Sequence, residues 1–329
     1  MAVYYDKDAD SSLILSRRVA VLGFGAQGRA HALNLHDSGV NVVVGLRDES
    51  PSREVCRDLG LETATPGDAV ASADFVMMLI PDNAQPHVYR DVVEPALSAG
   101  SALGFAHGYS IHFGYIRPRE DIDVLMVAPL GIGDQVRAMY EEGSGVPALL
   151  AIHQDASGLS TAIGLSYAWA NGHGRVGVLD ATFRDETETD LFAEQVVLCG
   201  GLTHLISDAF DTLVDAGYPA TLAYFCCLHE VKLIADLVYA RGIAGMRRSI
   251  SGTAEFGDYT RGPRIINEQS RQAMREILDE IRDGSFAKGL AQEFANDRPV
   301  IKAGRKAAET HEIERVGARL RRMMSREDD

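Results

Sequence analysis

At 329 residues the chain is long enough for two domains, each with its own hydrophobic core. Its formal net charge of −15 disfavours non-specific binding to nucleic acid or to an acidic membrane surface. No run approaches the roughly 20 apolar residues of a membrane span, and no signal-peptide pattern follows Met1. The four cysteines lack the spacing of a metal finger or a disulfide framework, so we expect a cytoplasmic protein.

Short apolar runs alternate with helical patterns in the first half of the chain. The predicted strands are 18–22, 40–46, 75–80, 102–106 and 124–127, and the first predicted helix is 27–36. This rhythm predicts a parallel sheet with helices on both faces. The segments 81–82, 107–108 and 129–133 follow three of the strands. Active groups gather at such carboxyl ends.

The second half is dominated by helical patterns, at 187–197, 208–216, 222–240 and 268–282. We expect an α/β Rossmann domain over 1–181 and an all-α domain over 182–329. The helical domain has many apolar faces, and we expect some of them to pack against a partner subunit.

The segment after the first strand has the pattern of a dinucleotide-binding turn, Gly23-Phe24-Gly25-Ala26-Gln27-Gly28. Gly23 allows a tight turn, Gly25 lets the backbone approach a pyrophosphate, and Gly28 allows close helix packing. A purely structural glycine turn is the alternative. It is less well supported because the pattern lies between a strand and a helix, as a cofactor turn requires.

The end of the second strand selects between the two nicotinamide cofactors. Arg47, Ser50 and Ser52 can bind the 2′-phosphate of NADPH through a guanidinium and two hydroxyls. Asp48 and Glu49 favour NADH unless they point to solvent. We predict NADP(H) as the cofactor. The further predicted cofactor contacts are Pro81, Asp82, Gln85, His107 and Gly133.

Four residues of the second half have the spacing of a metal site. Asp190 and Glu194 are four residues apart on a predicted helix, and Cys226 and Glu230 repeat that spacing. Carboxylates that converge from two helices suit a hard divalent cation, Mg²⁺ first and Mn²⁺ second. Acids at this spacing are also common on solvated faces. Since Asp190 and Glu194 flank the apolar sequence Leu-Phe-Ala, we expect both to be partly buried.

Motifs along almost the whole chain resemble those of ketol-acid reductoisomerase in its short form, the second common enzyme of branched-chain amino-acid biosynthesis. They are the glycine turn, Phe-Ala-His-Gly (105–108), His-Gln-Asp-Ala-Ser-Gly (153–158), Glu-Thr-Glu-Thr-Asp-Leu-Phe (186–192), Leu-Cys-Gly-Gly-Leu-Thr (198–203), Leu-His-Glu (228–230), Ser-Ile-Ser (249–251) and Thr-Ala-Glu-Phe-Gly-Asp-Tyr (253–259). The resemblance implies a Rossmann domain and a knotted helical domain, in an obligate homodimer with shared active sites; a higher oligomer stays open.

The resemblance also implies roles for five residues. Asp190 would bridge two Mg²⁺ ions, Glu194 would bind the first, and Glu230 from the neighbouring subunit would bind the second. Ser251 would hold the substrate carboxylate. His107 would lie beside the nicotinamide, although a histidine at a strand end can also be part of the core.

Two residues depart from the family pattern. Leu130 stands in Ala-Pro-Leu-Gly-Ile-Gly where the family has a lysine, and Cys226 stands where the family has a glutamate. The lysine normally stabilises an alkoxide and helps to move protons during alkyl migration. A thiol is a poor ligand for Mg²⁺, so we expect one well-bound ion and a weakened second site.

These departures lead to a hypothesis and two alternatives. The hypothesis is an NADP(H)- and Mg²⁺-dependent oxidoreductase acting on a hydroxy or keto acid, repurposed for specialised metabolism. Diverged members of this kind are associated with cyclopropanol formation from hydroxylated sulfonium acids. The alternatives are an authentic ketol-acid reductoisomerase, which converts 2-acetolactate, and a non-catalytic NADPH-binding protein.

Overall fold

The structure is a computed structural model, and residues 1–325 are described. The chain forms two compact units, Met1–Thr189 and Asp190–Asp329. We call them the α/β unit and the helical unit. The predicted domain boundary at residue 181 precedes helix Phe183–Ala193, whereas the units divide within that helix.

The α/β unit contains one nine-stranded sheet. Its strands are β1 (Val3–Tyr4), β2 (Arg18–Leu22), β3 (Asn41–Gly45), β4 (Glu62–Ala64), β5 (Phe75–Met78), β6 (Ala102–Phe105), β7 (Asp123–Pro129), β8 (Ala148–Gln154) and β9 (Val178–Asp180). They lie in the order β1-β9-β8-β7-β6-β5-β2-β3-β4. The six strands from β4 to β7 are parallel, in the order of a dinucleotide-binding fold.

The five predicted strands are parallel as expected, but the sheet continues on one side with strands that were not predicted. Strand β8 is antiparallel to β7, and β1 is antiparallel to β9. The sheet is therefore mixed. An apolar run indicates a strand but not its direction, so the sequence could not reveal this reversal.

Nine α-helices accompany the sheet in the described part of this unit. They are α1 (Ser12–Leu15), α2 (Ala26–Asp37), α3 (Ser52–Asp58), α4 (Pro66–Ala71), α5 (Gln85–Val88), α6 (Glu94–Ala96), α7 (Tyr109–His112), α8 (Gly133–Glu141) and α9 (Ser160–Ala170). A π-helical segment, Tyr89–Val93, joins α5 to α6, and short 3-10 helices lie at Asp6–Asp8 and His173–Arg175.

Both faces of the sheet are buried. In β2, Val19 and Val21 belong to one core cluster and Ala20 and Leu22 to the other. The same alternation occurs in β3, β5 and β7. Since successive side chains of a strand point to opposite faces, the continuous apolar runs of the sequence fill two separate cores.

Only helices occur in the described part of the helical unit. They are α10 (Phe183–Ala193, which crosses the division), α11 (Gly200–Asp215), α12 (Ala220–Tyr224), α13 (Glu230–Ser249), α14 (Gly252–Ile265), α15 (Glu268–Arg282), α16 (Ser285–Ala295), α17 (Pro299–Thr310) and α18 (Glu312–Ser325). The π-helical segments Glu194–Leu198 and Phe225–His229 follow α10 and α12. Helix α13 is interrupted at Gly242, whose φ is 67°.

The core of the helical unit is small. Its buried residues come from α11, α12 and α18: Phe210, Ala223, Tyr224, Ile313, Val316 and Leu320. Large apolar side chains are exposed along α11, α13 and α14, including Leu205, Leu233 and Phe256. In the described chain, these helices therefore present apolar surface that their own unit does not cover.

One stretch among residues 1–325, Phe183–Asp215, is long and apolar enough to cross a membrane by length and composition. This finding corrects the expectation that no run approaches that length. The stretch also contains Asp190 and Glu194. Because charged side chains are costly inside a bilayer, these two acids disfavour a membrane span.

Candidate active site

The order of the parallel strands reverses between β2 and β5. Ligands of open α/β sheets bind beyond the carboxyl ends of the strands at such a switch point. The glycine turn follows β2, and Pro81 and Asp82 lie shortly after β5. The topology therefore brings the predicted cofactor segments of the α/β unit to one edge of the sheet.

The geometry gives a different reason for a glycine at each of the three glycine positions of the turn. Gly23 has a φ of 99°, and a Cβ there would lie 2.6 Å from the Leu79 carbonyl oxygen. A Cβ on Gly28 would lie 2.4 Å from the Gly23 carbonyl oxygen. A Cβ on Gly25 would meet nothing within 4 Å. Gly23 and Gly28 are thus required by packing, and Gly25 faces the open space that a pyrophosphate needs; the turn fits a dinucleotide.

The glycine turn holds the loop that follows β7. The Gln27 amide donates a hydrogen bond to the Gly131 carbonyl oxygen (2.9 Å). A Cβ on Gly133 would lie 2.3 Å from the backbone of Ala26. Gln27 and Gly133 were predicted as cofactor contacts. In the structure they hold residues 130–133 against the start of α2.

The loop after β3 carries the predicted selectivity residues. Arg47, Asp48 and Glu49 are exposed, and Ser50 and Ser52 are half-buried. Ser52 begins α3. Sequence reasoning missed Arg53, whose guanidinium donates to the Leu46 carbonyl oxygen (2.6 Å) and contacts an oxygen of Asp48 (3.1 Å). An arginine next to a cofactor loop was visible in the sequence, but its acceptors were not.

Gln85 organises the segment after β5. This glutamine is buried, and its amide donates to the Ile80 carbonyl oxygen (3.0 Å) and to Asp82 Oδ1 (3.1 Å). Its own oxygen accepts from the Ser110 hydroxyl (2.8 Å). Burial raises the pKa of the Asp82 carboxyl; His107 opposes this shift and Glu186 adds to it. Gln85 therefore positions Asp82, while Pro81 is exposed beside it.

His107 is paired with a buried carboxylate that the sequence reasoning did not single out. Its Nδ1 lies 2.8 Å from Glu186 Oε1. Glu186 is 4% exposed, and its Oε2 accepts hydrogen bonds from the Gly108 N–H (2.8 Å) and the Thr187 hydroxyl (3.2 Å). Since carboxylate oxygens are acceptors, this pairing favours the tautomer of His107 that has its proton on Nδ1.

The signal for Glu186 was present in the quoted motif Glu-Thr-Glu-Thr-Asp (186–190). Two further observations concern the helix α10 on which Glu186 lies. A Cβ on Gly108 would lie 2.4 Å from the Thr187 hydroxyl, so Phe-Ala-His-Gly requires glycine for close contact with α10. Asp190 follows Glu186 by four residues on α10, the spacing of one helical face.

The two departures lie in different units. Leu130 is 53% exposed, and its backbone N–H donates to the Pro147 carbonyl oxygen (2.8 Å). Ile132, two residues later, is 72% exposed. This loop presents apolar side chains where the family has an ammonium group. Cys226 is an exposed thiol in the π-helical segment Phe225–His229, whereas its neighbour Cys227 packs against the core of the helical unit.

The predicted metal ligands are more open than expected. Asp190 is half-buried, but Glu194 and Glu230 are exposed, so the expectation of a partly buried Glu194 is wrong. Glu194 begins the π-helical segment Glu194–Leu198, in which no residue is buried. Within residues 1–325, Asp190, Glu194 and Glu230 do not form one cluster of metal-ligand size.

Ser251 is the N-cap of α14. Its hydroxyl oxygen accepts a hydrogen bond from the Ala254 N–H (3.2 Å). A capping serine retains its own O–H proton as a donor at a helix end that carries partial positive charge. This geometry is compatible with the predicted contact to a substrate carboxylate.

Two family models match the chain. Residues 13–177 match the acetohydroxy acid isomeroreductase NADPH-binding domain, and residues 183–326 match the ketol-acid reductoisomerase C-terminal domain. A ketol-acid reductoisomerase from an uncultured archaeon, described as NADH-preferring, is 42% identical with a TM-score of 0.95. That match covers 98% of this chain and 99% of the other.

More distant structures share the fold alone. A semialdehyde dehydrogenase NAD-binding protein from Cupriavidus necator matches with a TM-score of 0.62 and 18% identity, covering 81% of this chain and 99% of that one. For a putative oxidoreductase from Jannaschia sp. the TM-score is 0.59 at 18% identity, covering 80% of this chain and 97% of that one. With both domain models and a close relative in agreement, the chain belongs to the ketol-acid reductoisomerase family of NAD(P)H-dependent oxidoreductases and isomerases.

Proposed function

We propose that this enzyme transfers hydride between NADP(H) and a hydroxy or keto acid but no longer catalyses alkyl migration. The observation that carries the proposal is Leu130, exposed on the loop after β7 with Ile132 beside it. A leucine can neither donate a proton nor offset the charge of an alkoxide. Losing one such donor typically costs about 100- to 1000-fold in rate.

The donor set of the helical unit supports one Mg²⁺ rather than two. Asp190 and Glu194 offer hard carboxylate oxygens, which suit this ion, and they would hold the first site. At the second site, Cys226 offers a soft sulfur in place of a carboxylate, so Glu230 would be left with a poorly matched neighbour. When bound, Mg²⁺ would polarise the substrate carbonyl.

The chain's own residues would then bind and orient the reactants. The glycine turn would accept the pyrophosphate, and Arg47, Ser50 and Ser52 would pair with the 2′-phosphate. Ser251 would donate its O–H to the substrate carboxylate. The bond from Nδ1 to Glu186 fixes the ring of His107 and its tautomer, which prepares the imidazole for proton exchange beside the nicotinamide.

We further propose a homodimer with shared sites, in which Glu230 and Ser251 complete the site of the partner subunit. The exposed apolar side chains of α11, α13 and α14 support an interface in the helical unit. The openness of Glu230 in the single chain supports a ligand that is completed by another subunit. The knotted connectivity implied by the resemblance remains part of this proposal.

A cationic acid is the substrate that best suits an apolar loop without a lysine. Removing the ammonium group lowers the repulsion that a positively charged substrate would meet. The specific form of this proposal is a hydroxylated sulfonium acid of specialised metabolism. Its neutral sulfide and one C–H proton would leave as the three-membered ring of a cyclopropanol closes, while NADP⁺ would accept a hydride and return it.

The second candidate is an authentic ketol-acid reductoisomerase. It is favoured by the 42% identity to an enzyme of that name over 98% of this chain. Under this reading, neighbouring groups would compensate for Leu130 and Cys226, and the chain would convert 2-acetolactate at a normal rate.

The deciding experiment compares two substrates with the unmodified chain and NADPH. We expect negligible turnover of 2-acetolactate but slow reduction of 3-hydroxy-3-methyl-2-oxobutyrate, the already migrated intermediate, followed by cofactor absorbance. The variant Leu130→Lys with Cys226→Glu should gain acetolactate turnover. Both changes are needed together because residues that act as a unit are strongly non-additive.

Leu159→Lys is the matched control, because this exposed leucine lies elsewhere in the α/β unit. It should gain nothing. Rapid conversion of 2-acetolactate by the unmodified chain would refute the loss of migration and establish the second candidate.

A further inference from the structure

Arg53 makes three contacts with the loop that precedes its own helix. One guanidinium nitrogen, Nη2, lies 2.6 Å from the Leu46 carbonyl oxygen and 3.1 Å from Asp48 Oδ1. The Nε donates to the Arg47 carbonyl oxygen at 3.0 Å. A single side chain therefore fixes the backbone at the end of β3 and also engages an acid of the selectivity loop.

The position of Arg53 makes these contacts informative. It is the second residue of α3, where the helix dipole disfavours a cation. The carbonyl oxygens of Leu46 and Arg47 compensate for this, and the Arg53 side chain is only 22% exposed. Because two backbone acceptors already orient the planar guanidinium, its pairing with Asp48 needs little further ordering.

Asp48 is the residue whose engagement matters for cofactor choice. An acid at the end of this strand accepts the ribose hydroxyls of NADH and repels the 2′-phosphate of NADPH. The Asp48 side chain is 75% exposed and is paired with Arg53. The guanidinium occupies one of the two carboxylate oxygens and places a positive charge beside it, so it weakens both the acceptance of ribose hydroxyls and the repulsion of a 2′-phosphate.

We propose that Arg53 is a positioning residue that sets the preference between NADPH and NADH by engaging Asp48. The proposal deepens the proposed function and rests on it for the identity of the cofactor site. Arg53 acts on the cofactor through Asp48, and its bonds to the carbonyl oxygens of Leu46 and Arg47 hold the guanidinium in place for that contact.

The test measures dissociation constants for NADPH and NADH by calorimetry, without turnover. Arg53→Ala should lower the ratio of Kd for NADH to Kd for NADPH by roughly tenfold, which corresponds to about 1.4 kcal/mol. Arg53→Lys keeps the charge but loses the planar fork, so it should give an intermediate ratio.

A double-mutant cycle isolates the contribution of Asp48. In an Asp48→Asn background the carboxylate is absent, so Arg53→Ala should change the ratio by less than about twofold. Arg57→Ala is the control. This exposed arginine lies on the same helix, and its substitution should leave the ratio unchanged.

Equal weakening of both cofactors by Arg53→Ala would overturn the proposal, because it would indicate a purely structural role. The proposal would also be overturned if Arg53→Ala lowered the ratio of the two dissociation constants by the full tenfold in the Asp48→Asn background. If the unmodified chain binds NADH more tightly, the proposed NADPH preference fails, but Arg53→Ala must still lower the ratio for the present proposal to hold.

Discussion

The two units bury their apolar side chains to very different extents. The α/β unit fills a core on each face of its sheet, and whole strands such as β2 and β5 are almost fully buried. In the described part of the helical unit, the core cluster of α11, α12 and α18 is small, and leucines, isoleucines and aromatic residues along several helices are exposed. The first unit thus carries its own stability, whereas the second presents surface that suits burial against another chain.

The largest expected effect comes from truncating a core residue of the α/β unit. Phe75 is fully buried and stacks on Tyr167, with ring centroids 5.0 Å apart. Phe75→Ala should lower the free energy of unfolding by about 3–5 kcal/mol, because the cavity cannot be refilled. Denaturant unfolding at two protein concentrations should give the same loss. A loss below about 1 kcal/mol, as expected for exposed Val55→Ala, would contradict a self-contained core.

In the helical unit, a charge on the exposed apolar surface should act through association. Leu205→Glu places a carboxylate on an exposed position of α11. It should weaken the proposed dimer about 100-fold, or roughly 3 kcal/mol, and make the melting temperature strongly dependent on concentration. Sedimentation velocity measures the association. Val55→Glu, an exposed position of the α/β unit, should leave the sedimentation unchanged, and equal behaviour of the two variants would remove the contrast between the units.

Acid should destabilise the α/β unit through two buried histidines. Burial lowers the pKa of His31 to about 3 and that of His173 to about 4. Both folded values lie below the unfolded value of about 6.5, so the unfolded chain takes up more protons as the pH falls. Their stabilising contribution is complete above pH 6.5 and is lost by about 1.4 kcal/mol per pH unit for each histidine as the pH falls toward those values.

The variant His31→Gln tests this pH dependence. Denaturant unfolding between pH 7 and 4.5 should show a shallower loss of stability than in the unmodified chain. His229→Gln, which changes an exposed histidine of the helical unit, should leave the slope unaltered. If the free energy of unfolding falls with pH at the same rate in all three proteins, the buried histidines do not drive acid unfolding.

Helix caps should have the same small effect in both units, because capping is local. Thr65 caps α4 through the Asp68 N–H, and Asn267 caps α15 through the N–H groups of Gln269 and Ser270. Thr65→Ala and Asn267→Ala should each cost about 1 kcal/mol in thermal unfolding. A much larger cost in the helical unit alone would mean that α15 has tertiary contacts beyond its cap.

The sequence predicted most of what local patterns can encode. The central strands and the glycine turn lie as expected, and α15 has the predicted limits, Glu268–Arg282. Strands β1, β4 and β9 have only two or three residues, too few for a periodic pattern. The π-helical segments Glu194–Leu198 and Phe225–His229 have only five residues each, too few for a periodic pattern to reveal.

The sequence predicted candidate residues for the site, but it did not predict the contacts that they make. His107 and Asp82 were found, but their partners Glu186 and Gln85 acquire their roles only when α10 and α5 fold beside them. Likewise, nothing in the order of residues shows that Arg53 turns back to the Leu46 carbonyl. The exposure of a side chain also depends on which other surface packs against it. The sequence does not show that surface, so it could not predict that Glu194 is exposed in the single chain.

The close packing of Gly133 on Ala26 has an evolutionary consequence. A side chain at position 133 cannot be accommodated, and Gln27 holds the carbonyl of Gly131, so the backbone of this loop is fixed independently of residue 130. The side chain at 130 projects from that fixed backbone and is half exposed. Mutation at this one codon can therefore exchange an ammonium for an alkyl group at little cost in folding. In such a lineage a new chemistry can be sampled without first acquiring compensatory substitutions.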